Sequence, residues 1–144
     1  MTGDQSLTAE QALQLHKNFL QDILLGVVKI LGSGEAGADR MIKGLNAYWN
    51  VSYRYGPTRR KVQVALAGTA HENAQELMGR PFRMMLSAEL QASKVQNIDA
   101  LSQEIYNEAH DIALTEALSG KRVLGRRKKL AARIRAISQP AEQA

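Results

Sequence analysis

Apolar residues recur at steps of three and four along most of the chain, and no stretch keeps the alternation of a strand, so the pattern predicts helices and no sheet. The first helix is expected over about Ala9 to Leu31. Leu13, Leu20, Leu24, Val27, Val28 and Leu31 form its apolar face, and Ile23 and Ile30 widen it. Thr8 with Gln11 matches a capping box at its start, and Gly32-Ser33-Gly34 stops it. The short loop Gly32–Glu35 implies an antiparallel neighbour. That neighbour spans about Ala36 to Tyr55, with Met41, Leu45, Tyr48, Ser52 and Tyr55 on one stripe. Gly56-Pro57 is expected to end it, with glycine free to take a positive φ. A third helix follows from Thr58, its cap, to about Met78, with Val62, Ala65, Leu66, Thr69, Ala70, Asn73 and Leu77 at helical spacing. Phe82, Met85, Leu86, Leu90 and Val95 outline a fourth. Asn97 or Asp99 can cap a fifth, which runs to Ser119 and is closed by Gly120, with Leu101, Ile105, Ile112, Ala113 and Leu118 inward. A last helix, about Lys121 to Ile137, puts Val123, Leu130, Ile134 and Ile137 on one side. The fold class is therefore all-α, a bundle of about five to six helices with extended terminal segments.

Charge changes this picture, because it is placed unevenly. Arg40 to His71 holds the only Trp, three of the four Tyr and six cations (Arg40, Lys43, Arg54, Arg59, Arg60, Lys61), with no carboxylate. Residues 1–120 carry 11 Lys and Arg against 13 Asp and Glu, whereas residues 121–135 carry eight cations and no acid. On this basis residues 1–120 are expected to form the bundle and residues 121–144 a basic amphipathic helix and tail. Arg59, Arg60 and Lys61 fall in a predicted first turn, where cations oppose the helix dipole. Three of them there suggest that an external anion compensates them. The overall charge of +5 also favours an anionic partner.

Catalytic signals are weak. His16, His71 and His110 lie far apart on predicted helices and read as ordinary, partly exposed helix positions. His71-Glu72 lacks the second His of a zinc helix, because position 75 is Gln. Glu72 and Glu76, like Glu104 and Glu108, share a face without the following His of a bundle di-iron site. Gly32-x-Gly34-x-x-Gly37 matches a dinucleotide fingerprint in form but follows a helix instead of a strand. The chain has no Cys, so neither a disulfide frame nor a thiolate site is available. A chain of 144 residues fits one domain with a real core. No apolar run reaches the roughly 18 residues of a membrane span, and the acidic N-terminus is unlike a signal peptide. The expectation is a protein that is not an enzyme and uses no metal or cofactor.

The run VVKILGSGEAGADRMIKGLNAYWNVSYRYGPTRRKVQVALAGTA, Val27 to Ala70, resembles part of the major coat proteins of rod-shaped and filamentous archaeal viruses. Gly32, Gly34, Gly44, Leu45, Ala47, Tyr48, Trp49, Tyr55, Gly56 and Gly68 carry the likeness, which covers about 60 residues once the helix from Ala12 is included. The resemblance implies an all-α capsid protein of the virion whose dimers wrap double-stranded DNA, hold it in A-form and stack into a helical nucleocapsid. It implies as partners DNA, a second copy or a paralogous coat protein, and in some relatives a lipid envelope. Rod-shaped members carry a long basic N-terminal arm, and this chain begins with a short acidic one.

Coating DNA without reading its sequence requires cations spaced to meet phosphates and little base-edge chemistry. The candidate DNA contacts are Arg40, Lys43, Arg54, Arg59, Arg60, Lys61, Lys121, Arg122, Arg126, Arg127, Lys128, Lys129, Arg133 and Arg135. Both early helices look apolar on more than one side, so Tyr48, Trp49 and Tyr55 are the candidate subunit interface. Two other readings compete: a cytoplasmic helical regulatory protein whose basic C-terminal helix binds nucleic acid or an acidic partner, and attachment of that helix to a membrane surface.

Overall fold

The computed structural model describes residues 7–32, 34, 35, 37–70, 80–92 and 96–138, with the side chains of Leu31 and residues 80–84 left out of the description. The described residues form six helices and no strand. These are α1 (Ala9–Leu31), α2 (Ala38–Arg54), α3 (Gly56–Leu66), α4 (Arg80–Ala92), α5 (Ile98–Ser119) and α6 (Leu124–Ser138). The architecture is the all-α bundle that the periodicity predicts. The expected third-helix positions Asn73, Leu77 and Met78 lie outside the described residues, as do the side chain of Phe82 and all of Val95.

Local chemistry explains most boundaries. Thr8 accepts from the Gln11 backbone while the Gln11 side chain accepts from the Thr8 backbone at 3.0 Å, which closes the expected capping box of α1. Gly120 ends α5 with φ 72°, a conformation that glycine takes without steric cost. The α2–α3 junction differs from expectation. Tyr55 serves as the end of one helix and the start of the next, and Pro57 sits in the first turn of α3. Gly56 is not in the left-handed region. A Cβ there would lie 3.0 Å from the Ala117 carbonyl oxygen, so a close approach to α5 demands the glycine. Thr58 makes no cap, because the helix has already begun.

α2 packs on the other five described helices, and its pairing with α1 is the most extensive contact of the bundle. One apolar cluster runs through Phe19, Ile23 and Val27 of α1, Met41, Leu45, Tyr48 and Trp49 of α2, Leu86 and Leu90 of α4, Ile105, Ile112 and Ala113 of α5, and Leu130 and Ile134 of α6. A smaller cluster of Ala12, Val62 and Leu66 joins α1 to α3. The segment set apart by charge is thus structurally part of the bundle, since α6 packs on α2 and α5 and shares their core.

The buried face of α1 is rotated from the expected one. Ala12, His16, Phe19, Ile23 and Val27 point inward, whereas Leu24 and Val28 are exposed. The apolar count along α1 is ambiguous by about one residue step, and the fit against α2 chooses the face. His16 is 3 % exposed and lies on Phe19 with ring centroids 5.9 Å apart, which corrects its reading as a partly exposed position.

Trp49 fills the centre of the cluster, and truncating it leaves a large void. Trp49→Ala is expected to cost about 3–5 kcal/mol by urea denaturation. Val64→Ala, at a position 78 % exposed, should stay within about 0.5 kcal/mol of the parent.

Candidate nucleic-acid interface

The cations of the two basic blocks separate into an internal and an external set. Arg59 is the clearest internal member. It is 2 % exposed, with Nη1 donating to Ser52 Oγ at 2.6 Å and its guanidinium lying 4.6 Å from the Phe19 ring centroid. Burial pulls its pKa below the ordinary arginine value, and the adjacent Tyr48 opposes this. The same burial pushes Tyr48 up to about 12, with Arg59 acting against it. Arg59 is therefore part of the core, not an exposed first-turn cation, which corrects its place among the DNA contacts. Arg60 is half-buried and donates to the Ala117 carbonyl at 2.6 Å, capping the negative end of α5.

Arg127 is the second internal cation. Its Nη2 meets Glu116 Oε1 at 2.6 Å and its Nε meets Oε2 at 2.8 Å, a two-pronged bond to a carboxylate that is completely buried. Glu116 Oε2 also accepts from the Val123 backbone at 2.9 Å, and Arg127 Nη1 donates to Asn50 at 3.0 Å. The guanidinium lies 5.4 Å from the Trp49 ring centroid. Arg40 is likewise engaged, by Glu89 at 2.5 Å and 3.0 Å, and this hydrogen bonding raises its pKa while tying α2 to α4.

Four further cations lie at the surface beside acids or an aromatic ring. Arg126 binds Asp111 at 2.8 Å and Glu108 at 3.0 Å, Arg133 binds Glu104, and Arg135 lies 3.7 Å from Asp39. Arg122 lies over the Tyr53 ring at 4.8 Å. Lys43, Arg54, Lys61, Lys121, Lys128 and Lys129 are exposed and form no ion pair with another described residue. Lys129 borders the Glu104–Glu108 side of α5, so its local field is mixed.

Of the others, Lys43, Arg54 and Lys121 gather on one aspect of the molecule, together with Arg122. Lys43, Asn46, Asn50 and Arg54 follow one another at steps of three and four along the outer side of α2. The Arg127–Asn50 bond lays α6 beside this stripe, and the Arg135–Asp39 approach continues the contact toward the start of α2. Tyr53 donates to the Gly120 carbonyl at 3.1 Å, which brings Lys121 and Arg122 to the Arg54 end of α2. Asp39 is the stripe's acid, and Arg135 faces it.

The three aromatic candidates are not at an open surface. Tyr48 and Trp49 are buried in the chain's own core, and Trp49 Nε1 donates to the Ala109 carbonyl at 3.0 Å. Tyr55 is half-buried, donates to Asp22 and tilts against Phe19. Tyr48 and Trp49 hold the bundle together, which corrects their assignment as a subunit contact.

Sequence reading missed the acceptors. Ala109, Ala113 and Ala117 are spaced by four, and their carbonyls accept from Trp49, Ser52 and Arg60 in turn. A run of small residues on one face of α5 was the available signal, as was Glu116 on that face. Among the described residues no cluster of His, Asp and Glu could hold a metal ion, and no helix is long and apolar enough to cross a membrane. The chain matches no family model, no curated protein and no solved structure.

Two measurements probe the internal set. Glu116→Ala strands Arg127 and should cost about 3–5 kcal/mol, whereas Glu116→Met with Arg127→Met should recover most of that loss; urea denaturation of both variants checks it. The raised pKa of Tyr48 means that the folded state holds this proton more tightly than the unfolded chain does. Its contribution is full below the ordinary value of 10.0 and is lost as pH rises toward about 12. Thermal melts across that range should fall less steeply in Tyr48→Phe.

Proposed function

We propose that this protein is a structural, non-enzymatic coat for double-stranded DNA, assembling as a capsid subunit in the manner of the archaeal viral coat proteins that Val27 to Ala70 resembles. The observation that carries the proposal is the exposed cationic aspect formed by Lys43 and Arg54 of α2 with Lys121 and Arg122 beside them. Its nearby carboxylates are engaged, Glu116 by Arg127 and Asp39 by Arg135. Phosphate attracts such a surface whatever the base sequence. Lysine on flexible stems, arginine and the intervening Asn46 and Asn50 supply donors to a backbone, and the Tyr53 ring at the Arg54 end is covered by Arg122.

The alternative of a basic C-terminal helix acting alone has less support. Arg126, Arg127 and Arg133 of that helix are held by acids of α5, and Leu130 and Ile134 are committed to the core.

Binding of random-sequence duplexes should weaken on the order of 10²- to 10³-fold between 50 and 200 mM salt if about five phosphates are neutralised. Lys43→Glu with Arg54→Glu should lower affinity strongly at unchanged helicity, whereas Arg133→Glu should matter far less. Gel-shift titration with circular dichroism decides the matter. Salt-independent affinity, or equal effects of the two variants, would count against the coating role.

A further inference from the structure

The turn between α5 and α6 is tied down residue by residue. Tyr53 Oη donates to the Gly120 carbonyl at 3.1 Å, and the Gly120 N–H donates to the Glu116 carbonyl at 2.9 Å. The Ser119 hydroxyl accepts from the Lys121 N–H at 3.1 Å and donates to the Lys121 carbonyl at 3.3 Å. The buried Glu116 carboxylate accepts from the Val123 N–H at 2.9 Å. A turn bonded in this way presents Lys121 and Arg122 from a fixed base.

Arg122 is itself held in an unusual manner for this chain. It is exposed, and its guanidinium carbon lies 4.8 Å from the Tyr53 ring centroid. Arg59 and Arg127 also lie over rings, but they donate to Ser52 and to Glu116 and Asn50. Arg126 and Arg133 are ordered by carboxylates, which take up their donors. No described residue accepts a hydrogen bond from Arg122. The attraction of a cation to an aromatic ring consumes no N–H donor. Arg122 is therefore placed by Tyr53 while its planar fork stays open to an anion.

We propose that Arg122 is a phosphate clip, taking two oxygens of one phosphate group through that fork, with Tyr53 as its positioning residue. Arg54 follows Tyr53 in α2 and Lys121 precedes Arg122, and both are exposed. Three cations around one turn favour a multiply charged phosphate over a single carboxylate. An exposed lysine must order a flexible stem on binding, whereas the ring has already ordered Arg122, so Arg122 grips more strongly than its lysine neighbours. The clip rests on the coating reading only for the source of its phosphate, a duplex backbone. The turn takes a free phosphate group as well.

The test follows the arginine Nε–H resonances of the full chain by heteronuclear NMR, during titration with inorganic pyrophosphate at constant ionic strength. The Arg122 signal should shift and that of Arg133 should stay, while acetate at the same ionic strength should move neither. By calorimetry with the same probe, Tyr53→Leu should weaken binding about threefold, and Tyr53→Phe, which keeps the ring, should retain most of it. Tyr53→Leu should cost nothing further in an Arg122→Ala protein, whereas a merely structural Tyr53 would cost the same in both backgrounds. Circular dichroism should show unchanged helicity for every variant. An Arg122 signal that pyrophosphate moves no more than the Arg133 signal, or no more than acetate does, overturns the proposal. So does an equal cost of Tyr53→Leu in both backgrounds. Gel shifts keep the two readings apart, because Arg122→Ala should flatten the log–log salt dependence of duplex affinity by about 0.9. Duplex binding whose slope ignores Arg122→Ala sinks the clip alone, and pyrophosphate binding at Arg122 without duplex affinity sinks the coating role alone.

Discussion

One buried ion pair fixes how α6 joins the bundle. Glu116 is completely enclosed, and an isolated carboxylate there would cost several kcal/mol in lost hydration. Arg127 meets both of its oxygens, and the Val123 backbone supplies a further donor. These bonds turn the chain after α5 back onto α2 and set the Arg127 guanidinium against Trp49. They account for how a helix as cationic as α6 comes to share an apolar core. The charge that would repel it from low dielectric is consumed at the point of entry.

Arg59 obeys the same constraint by other means. It reaches Ser52, whose hydroxyl donates on to the Ala113 carbonyl, and it lies over Phe19. Together with Trp49 and Arg60 it ties α2 and α3 to the carbonyl row of α5. Small residues at 109, 113 and 117 let these donors come close enough to bond. The polar groups of the centre are thus arranged around acceptors that belong to backbone, and backbone acceptors leave no trace in a list of charged residues.

Sorting the cations this way reshapes the functional reading. A count of fourteen basic residues suggested a broad basic surface, yet Arg40, Arg59, Arg60 and Arg127 are spent on internal structure, and Arg126, Arg133 and Arg135 face acids. Of the remaining cations, Lys43, Arg54, Lys121 and Arg122 run along α2 and the segment that leads into α6.

Periodicity and capping chemistry by themselves determined that the chain is all-helical, that α1 starts at Thr8 through a capping box, that Gly120 closes α5, and that Leu45, Ile105 and Ile112 lie inside. These are local properties, set by side chains within a turn or two of one another. The facing of α1 was beyond that reach, because Leu24 and Val28 satisfy the helical spacing as well as Phe19 and Ile23 do, and only the shape of α2 distinguishes them. The division of the arginines was beyond it too. Whether Arg59 meets solvent or Ser52, and whether Arg127 meets phosphate or Glu116, depends on which groups the fold brings within about 3 Å. Residues far apart in the chain supply those partners, and only the tertiary structure puts them there.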